Sequence, residues 1–357
     1  MKHKRNKKIL LLIIVIFLLI GSVITFKLFN KNNNIKQVNK NDVFDEVKDI
    51  NNNEIKKIEK NNFVSYNGWL KIKNNTLVNE NNEKFRLKGI STHGLQWYSK
   101  FANKEMMESL KDTFGINLFR IAMYTEENGY ISNPSLKDKV VEIVEYAKEL
   151  DMYVIIDWHI LSDGDPLKHI EEAKIFFDEM SNKYRDYPNV IYEICNEPNG
   201  NVTWDNNIKP YADEIINIIR NNSKNSIIIV GTPTWSQDVD KVINNKIDDE
   251  NTMYALHFYS GTHTEWLRNR AKDALREIPL FVSEWGVSDA SGNGGIYKDE
   301  TLKWIEFMNE NNLSYAIWSL SDKNESSTLL IPGANEKIIS DDNLSEAGKF
   351  IKNLISE

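Results

Sequence analysis

The stretch VIYEICNEPNG, residues 190–200, has the composition of a buried strand that runs into polar residues. Its first six residues are mostly branched, aromatic or otherwise apolar, which is typical of a strand covered on both faces. Asn196, Glu197 and Pro198 follow where the strand is expected to stop. A buried ionised carboxylate is costly unless it is paired, so Glu197 belongs either to a salt bridge or to a chemical site.

Seven further stretches of this kind occur along the chain, separated by longer stretches with helical spacing. This alternation predicts parallel strands joined by crossover helices, and eight strands in about 290 residues predict a (β/α)8 TIM barrel, not an open doubly wound sheet. The predicted strands are FRLKGIST, NLFRIAMY, YVIIDWH, VIYEICNE, SIIIVGT, MYALHFY, PLFVSEWG and SYAIWSLS, which begin at residues 85, 117, 153, 190, 226, 253, 279 and 314.

Two segments of different character precede the barrel. WLKIKNNTLVNENNEKFRLKGIS has short alternating runs around Asn74 and Asn75, which predict an N-terminal β-hairpin that closes one end of the domain. Residues 27–62 are dominated by Asn, Lys, Asp and Glu, are too polar to form a core, and are interpreted as a disordered linker. We therefore predict a leader over 1–26, this linker, and a barrel domain over 63–357.

The N-terminus is predicted to meet a membrane. MKHKRNKK is basic, and ILLLIIVIFLLIGSVITF, residues 9–26, carries no charge and has the length of a short membrane span or a signal peptide. No convincing small-residue cleavage site precedes Lys27, which slightly favours an uncleaved signal anchor over a cleaved signal peptide. The basic side should stay cytoplasmic, so the barrel is expected to be extracellular, secreted or anchored on the outer face of the cytoplasmic membrane.

Composition argues against some classes of partner. The 357 residues carry a formal charge of −8 and a pI near 5.5, which disfavours nucleic acid because phosphate contacts need a basic face. The 9 Trp, 14 Tyr and 15 Phe suit a ligand with apolar faces and hydroxyl edges. The single cysteine, Cys195, cannot form an intramolecular disulfide and is expected to pack in the core.

The predicted strands end in polar and aromatic side chains, and in a TIM barrel these ends meet at one mouth. Glu197 and Glu284 end the fourth and seventh strands, across the mouth from one another, as a two-carboxylate glycosidase requires. Arg120 can supply the positive charge that keeps one glutamate ionised as nucleophile, and Tyr259 can donate a hydrogen bond to it. Asn196 suits a sugar 2-hydroxyl.

Tryptophans also follow the strands at this mouth. A pyranose ring offers its C–H faces to an aromatic plane, so Trp97, Trp235 and Trp318 predict several sugar subsites in an open cleft. Trp158 and Trp285 are interpreted as packing or orienting residues.

Three histidines at the mouth, His93, His159 and His257, leave a zinc site as an alternative. They lie on three different strands and lack the local spacing of metal ligands. Because the two glutamates already supply an acid and a nucleophile, a reaction without metal is favoured.

The order of the motifs resembles one family. The motifs are LKGISTHGLQWY, NLFRIAMYT, VIIDWH, VIYEICNEPNG, GTPTWSQDVD, ALHFYSG, FVSEWGVSDASGNGG and IWSLSDKNESS. From Asn67 onward the chain resembles glycoside hydrolase family 5, and within it the bacterial endo-β-1,4-glucanases. The resemblance implies a catalytic domain that hydrolyses internal β-1,4-glucosidic bonds of β-glucan or cello-oligosaccharides with retention, and that needs no cofactor.

The resemblance also implies roles for particular residues. Glu197 would be the acid/base and Glu284 the nucleophile. The implied polar and aromatic shell around them is Arg120, Asn196, His93, His159, His257, Tyr259 and Trp318. The implied sugar contacts are Tyr124, Trp97, Ala290, Lys323 and Glu325 on the glycone side, and Trp235 on the aglycone side.

Two other functions stay open from the sequence. A β-glycanase active on β-mannan, mixed-linkage glucan or xyloglucan would share the catalytic pair, because loops set specificity. Lys323 and Glu325 favour glucan by resemblance only. An inactive, membrane-anchored glycan-binding barrel would have the same fold, although the intact glutamate pair argues against it. We expect a monomer that contacts the membrane only through its N-terminal segment.

Overall fold

A computed structural model describes residues 63–355 of the chain. The expected leader over 1–26 and linker over 27–62 lie outside these residues. Among the residues described, no helix is both long and apolar enough to cross a membrane. The first elements are a short helix, α1 (Phe63–Asn67), and two short strands, β1 (Lys71–Lys73) and β2 (Thr76–Val78).

The strands β1 and β2 form the predicted hairpin. Its two turn residues, Asn74 and Asn75, have φ angles of 49° and 57°. A two-residue hairpin loop of this left-handed type needs residues that tolerate positive φ, and asparagine does. Leu70 and Leu77 pack with the inward-facing residues near the start of the barrel strands. The hairpin therefore closes the N-terminal end of the barrel, as expected.

Eight parallel strands close into a barrel in sequence order, which confirms the predicted fold. β10 pairs with β3 to complete the ring. The strands are β3 (Lys88–Thr92), β4 (Leu118–Tyr124), β5 (Tyr153–His159), β6 (Val190–Glu193), β7 (Ile228–Val230), β8 (Thr252–Tyr259), β9 (Leu280–Gly286) and β10 (Tyr315–Leu320).

Helices pack around the barrel by their apolar faces. For example, the helix over Lys104–Phe114 is capped at its start by Asn103, whose side chain accepts a hydrogen bond from the Met106 backbone, and at its end by Gly115, with φ 65°. The helices are α2 (Leu95–Tyr98), α3 (Lys104–Phe114), α4 (Leu136–Glu149), α5 (Ile170–Lys183), α6 (Lys209–Asn222), α7 (Pro233–Ser236), α8 (Glu265–Ala274), α9 (Lys298–Glu310) and α10 (Glu346–Ile355).

Strand alternation sorts the barrel interior into three layers. The layer next to the hairpin is apolar and includes Leu118, Ile155 and Ile191. Two residues further along the same strands come three fully buried charged residues, Arg120, Asp157 and Glu193. The layer at the mouth is largely aromatic and includes Tyr124, Tyr259 and Trp318.

The stretch that predicted the fourth strand is only partly a strand. β6 ends at Glu193, four residues before Glu197, although the apolar pattern continues to Cys195. The backbone N–H of Ile194 still bonds to Ile229, so the chain continues beside β7 before it turns into the mouth. Cys195 is buried in the core, as expected, and burial raises the pKa of its thiol.

Candidate active site

Glu197 and Glu284 meet at the mouth of the barrel, on the wall of a cavity of about 750 Å³. One carboxylate oxygen of each glutamate and a ring nitrogen of His257 all lie within 4.8 Å of one another. Both glutamates are buried, with exposed fractions of 9% and 4%. The structure therefore brings together the two carboxylates that the sequence placed on opposite strands.

A bulge in β9 brings Glu284 to this position. Ala255 of β8 pairs with Phe281 of β9, but the next pair is His257 with Glu284, so β9 advances three residues while β8 advances two. In such a bulge two residues oppose one on the partner strand. Ser283 and Glu284 therefore both lie opposite His257, and the Ser283 Oγ is 2.9 Å from the His257 Nε2.

Glu284 accepts hydrogen bonds from two buried donors. Arg120 Nη1 lies 3.1 Å from its Oε2, and the Tyr259 hydroxyl lies 2.7 Å from its Oε1. Burial and the charge of Glu284 raise the pKa of Tyr259 well above its usual value, so this tyrosine remains a proton donor. The two donors fix the direction of the Glu284 carboxylate.

Glu197 has a different environment. Its Oε1 lies 2.9 Å from His257 Nδ1. Burial, together with the nearby charge of Glu284, raises the pKa of Glu197 to about 6. Burial opposes the charged form of His257, but its contacts with Glu193 and Glu197 outweigh burial and raise the pKa of His257 to about 9. The two carboxylates of the pair thus have different surroundings. A glycosidase needs such a difference between its acid and its nucleophile.

Arg120 is enclosed by acidic side chains. Its Nε contacts Glu193 at 2.7 Å and its Nη2 contacts Asp157 at 3.0 Å, in addition to the Glu284 contact. Although burial opposes ionisation, Arg120 and His257 hold the pKa of Glu193 at about 2. Burial raises the pKa of Asp157 well above its usual value, more than Arg120 lowers it. One cation therefore orients three carboxyl groups.

Asn196 and His159 form the next part of the network. The Asn196 Oδ1 accepts a hydrogen bond from Arg120 Nη2 at 2.6 Å, and its Nδ2 lies 3.1 Å from the Ile160 carbonyl and 3.2 Å from His159 Nε2. Burial and Arg120 lower the pKa of His159 to about 3, so its ring is neutral. Its Nε2 then accepts from Asn196, and its Nδ1 donates to Asp157 across 2.6 Å.

The other predicted site residues divide between the cavity wall and the layer behind it. Arg120 and Asn196 are fully buried and support the wall from behind. The predicted residues that line the cavity are His93, Trp97, Tyr124, His159, Trp235, His257, Tyr259, Ala290, Trp318, Lys323 and Glu325.

Aromatic side chains flank the carboxylates along the cavity. Trp97 and Trp235 are 43% and 44% exposed, whereas Trp318 is almost buried. Trp97 contacts the edge of Tyr124, with ring centroids 5.1 Å apart. Trp235 lies in α7, a single turn in which Thr234, Trp235 and Ser236 have positive φ. This left-handed turn places the Trp235 ring against solvent at the cavity edge.

Charged and histidine side chains complete the wall. The Lys323 Nζ lies 2.6 Å from Glu325, whose side chain is nearly buried. The His93 Nδ1 accepts a hydrogen bond from the Gly94 backbone at 2.7 Å. Burial and the charge of Lys323 lower the pKa of His93 to about 3, so this ring is neutral. Trp158 and Trp285 are fully buried in the outer core, as their interpretation as packing residues expected.

The zinc alternative depends on which side chains lie close enough together to bind one metal ion. Among residues 63–355, the potential ligands that come close enough to share an ion are Glu197, His257 and Glu284. The three histidines that raised the alternative form no such group in this part of the chain. These potential ligands are the carboxylate pair and the histidine beside it.

Several functional residues were missed by the sequence reading. Glu193 and Ser283 hold Arg120 and His257, and Gly286 leaves room for Tyr259, since a Cβ there would lie 2.6 Å from its ring. Glu193 carried a signal, because it lies two residues after the apolar Ile191 and so faces the barrel interior. Ser283 and Gly286 carried none, because their roles depend on the β9 bulge.

A TIM barrel whose mouth holds two buried glutamates, one bound by an arginine and a tyrosine and the other by a histidine, defines the class of two-carboxylate glycoside hydrolases. Residues 78–324 match the family model described as "Cellulase (glycosyl hydrolase family 5)". The chain belongs to glycoside hydrolase family 5.

Individual relatives agree with this assignment. Endoglucanase A of Evansella cellulosilytica is 58% identical over 275 residues, which cover 76% of this chain and 56% of the relative. Endoglucanase 5 of Pectobacterium carotovorum is 52% identical over 294 residues, or 82% of this chain and 58% of the relative. The chain thus spans less than two-thirds of the length of these two curated relatives.

Solved structures show the same fold. The catalytic domain of Thermobifida fusca endoglucanase Cel5A, in complex with cellotetraose, superposes with a TM-score of 0.80 at 32% identity. The match covers 82% of this chain and 99% of that domain.

Proposed function

We propose that the chain is an endo-β-1,4-glucanase that hydrolyses internal β-1,4-glucosidic bonds with retention. The observation that carries the proposal is the carboxylate pair, in which one oxygen of Glu197 and one oxygen of Glu284 lie within 4.8 Å of each other. Retaining glycosidases need carboxyl groups about 5 to 5.5 Å apart, whereas inverting enzymes leave about 6.5 to 9.5 Å for a water molecule. Relatives named endoglucanase, and a cellotetraose complex of one, support β-1,4-glucan as the substrate.

In the first step Glu284 is the nucleophile. Its carboxylate attacks the anomeric carbon, an ester bond to the sugar forms, and the glycosidic C–O bond breaks. Glu197 donates its proton to the departing oxygen. Its pKa of about 6 leaves more of the acid form near neutral pH than an ordinary glutamate would have. Arg120 and Tyr259 support this assignment because they hold Glu284 in place for attack.

In the second step Glu197 acts as the base. Now a carboxylate, it takes a proton from water, the water oxygen attacks the anomeric carbon, and the ester to Glu284 breaks. Inversion at each step leaves the product with the original β configuration. His257, cationic at neutral pH and 2.9 Å from Glu197, would stabilise the Glu197 carboxylate between the steps.

The cavity wall supports binding of a chain rather than a single sugar. We assign Trp97, Tyr124 and Trp318 to the glycone side and Trp235 to the aglycone side, where their planes suit pyranose faces. Ala290, Lys323 and Glu325 would contact glycone hydroxyls. The contact of Asn196 with a 2-hydroxyl stays a prediction, since its amide groups already bond to Arg120, His159 and Ile160.

The chain's place of action is part of the same proposal. A glucan polymer cannot enter a cell, so a glucanase must be exported to reach it. The basic and apolar leader over 1–26 supports export, and the linker over 27–62 would separate it from the catalytic domain over 63–357.

Chemical rescue tests the roles of the two glutamates. With 2,4-dinitrophenyl β-cellobioside the leaving group needs no proton, so Glu197→Ala should form the glycosyl-enzyme and then stall. Azide should restore turnover and give a β-glycosyl azide. For Glu284→Ala, azide should replace the nucleophile and give an α-glycosyl azide. The control is Glu108→Gln, an exposed glutamate on α3.

Substrate class is tested on polymers. Reducing-sugar release by the wild-type protein should be much greater from carboxymethyl cellulose than from β-mannan or xyloglucan. Preference for one of the latter would replace glucanase with another β-glycanase. Inactivity on every polymer and on the activated substrate would overturn the enzyme proposal in favour of a glycan-binding barrel.

A further inference from the structure

The described residues contain three tryptophans with large exposed fractions, and one of them has no role so far. Trp97 and Trp235 line the cavity, whereas Trp266 does not, although it is also 44% exposed. Trp266 lies in the first turn of α8, which follows β8 at the end of the barrel that carries the catalytic pair. A third exposed indole is thus placed near the mouth.

Ring contacts place Trp266 one side chain beyond the cavity wall. Its ring meets His263 edge to face, with centroids 5.9 Å apart and planes at 62°. His263 itself lines the cavity and is buried, and its Nδ1 accepts the backbone N–H of Tyr259 at 2.8 Å. The cavity wall and Trp266 are therefore connected through one rigidly held histidine.

A second set of contacts places Trp266 on the Trp235 side. The Arg270 guanidinium lies over the Trp266 ring, 5.3 Å from its centroid. Arg270 also pairs with Asp238, and the other Asp238 oxygen accepts the Thr234 hydroxyl at 2.8 Å. Thr234 immediately precedes Trp235 in the left-handed turn of α7. The two exposed indoles are thus linked by one network of side chains.

This network prepares Trp266 to bind a flat ligand. Arg270 covers one face of the indole by a cation–π contact and is itself held by Asp238 and by Asp240, whose Oδ1 is 3.4 Å from Nε. Although Arg270 lies over the ring, the side chain is still 44% exposed, so a large part of the indole is open to solvent. An indole that is already immobilised loses little conformational entropy on stacking.

We propose that Trp266 is a distal aglycone platform, on which a glucosyl unit of the substrate stacks after the chain has passed Trp235. The proposal rests on the proposed function, because it takes β-1,4-glucan as the ligand. A pyranose face suits an exposed indole surface, and Gln237 and Thr234, which line the cavity, offer polar groups to the hydroxyls of the chain. The platform lengthens the cleft on the leaving-group side.

The test compares a long and a short substrate with the full-length protein. Trp266→Ala should lower kcat/KM for cellohexaose about fivefold, since one aromatic contact is involved. It should leave kcat/KM for 4-nitrophenyl β-cellobioside unchanged, because that aglycone is a single ring. Trp266→Phe should recover most of the loss. The control is Tyr66→Ala, a 50% exposed aromatic in α1, near the closed end of the barrel.

Binding gives a readout independent of turnover. In a Glu284→Gln background, titration calorimetry with cellohexaose should show a Kd about fivefold weaker with Trp266→Ala, while cellotriose should bind equally to both. Equal losses for long and short ligands, or no loss for cellohexaose, would overturn the platform. If the wild-type protein has no turnover, the proposed function fails, and this titration still decides the role of Trp266.

Discussion

Opposite charges are in contact among the buried residues of the site. Two cations, Arg120 and His257, face four carboxyl groups: Asp157, Glu193, Glu197 and Glu284. Burial raises the pKa values of Asp157 and Glu197. In the proposed mechanism, the first chemical step uses the proton on Glu197.

The fork of Arg120 cannot be replaced by an ammonium group. Lysine presents a point charge and cannot contact Asp157, Glu193 and Glu284 in three directions at once. Arg120→Lys should therefore lower kcat on carboxymethyl cellulose about 100-fold, because a small misplacement of the nucleophile is enough for that loss. It should also lower the free energy of unfolding by about 3 kcal/mol, since a buried ionic network is broken.

A second arginine provides the control for this substitution. Arg220 holds Asp249 through Nε and Nη2 at 2.6 and 2.8 Å, away from the mouth. Arg220→Lys should lower stability in urea titrations but leave kcat within about twofold. If Arg120→Lys kept wild-type kcat, the proposed positioning of Glu284 by Arg120 would be wrong.

If Glu197 is the acid, as proposed, its protonated form should set the alkaline side of the rate profile. Because its pKa is about 6, Glu197 loses its proton as pH rises through this value, and kcat/KM on a substrate with a poor leaving group should fall above it. Initial rates on cellopentaose between pH 4.5 and 8.5 measure this limb. Glu197→Ala on 2,4-dinitrophenyl β-cellobioside should lack it, and a limb that persisted in this variant would assign it to another group.

Among the structural elements, the eight strands were predictable, but their irregularities were not. Apolar runs separated by helical spacing define each strand of the barrel, and the Asn74-Asn75 pair defines the hairpin. The β9 bulge breaks the alternation of inward and outward side chains. Strict alternation from Phe281 would turn Ser283 inward and Glu284 outward. Glu284 was predicted from its place at the end of the seventh strand and from the motif SEWG, not from the alternation of inward and outward residues.

The left-handed turn of α7 could not be predicted from the sequence pattern either. Thr234, Trp235 and Ser236 all have positive φ, which a branched residue such as threonine adopts only when its surroundings enforce it. The hydrogen bond of Thr234 to Asp238 is one such constraint. Nothing in the local sequence indicates that conformation, whereas the aromatic side chain after strand β7 did predict a sugar contact.

A substitution in the hairpin turn should change the stability of the protein but not its activity. Asn74 has φ 49°, so Asn74→Val would force a branched residue into the left-handed region and should lower the free energy of unfolding by about 1 to 2 kcal/mol. Catalytic rates at 25 °C should not change, because the hairpin closes the far end of the barrel. Urea denaturation and rates on 4-nitrophenyl β-cellobioside measure the two effects.

A neighbouring position supplies the matched control for the turn. Lys73 is an exposed residue of β1, next to Asn74 in sequence, and a valine suits an extended backbone. Lys73→Val should leave stability within about 0.5 kcal/mol of the wild type. Equal effects of the two valines would contradict an origin in the left-handed backbone.

For the whole molecule, the site makes stability depend on pH. His257 has a pKa of about 9 in the folded protein, above its usual 6.5, so its contribution is full below pH 6.5 and is lost as pH rises through 9. Glu197 acts in the same direction, between its usual 4.5 and about 6. Glu193 has the opposite effect. Its pKa of about 2 in the folded protein is below its usual 4.5, so it adds stability that is lost as pH falls from 4.5 through 2.

The wild-type protein should therefore unfold more easily at pH 9.5 than at pH 6. The shift of His257 corresponds to about 3 kcal/mol, or about 6 °C in Tm for a domain of this size. Glu193→Gln removes one carboxylate that favours the charged His257, so its Tm should depend less steeply on pH between these two values. Glu108→Gln, on the surface, should keep the wild-type dependence. A wild-type Tm that is equal or higher at pH 9.5 would contradict a cationic His257 and, with it, the proposed stabilisation of the Glu197 carboxylate.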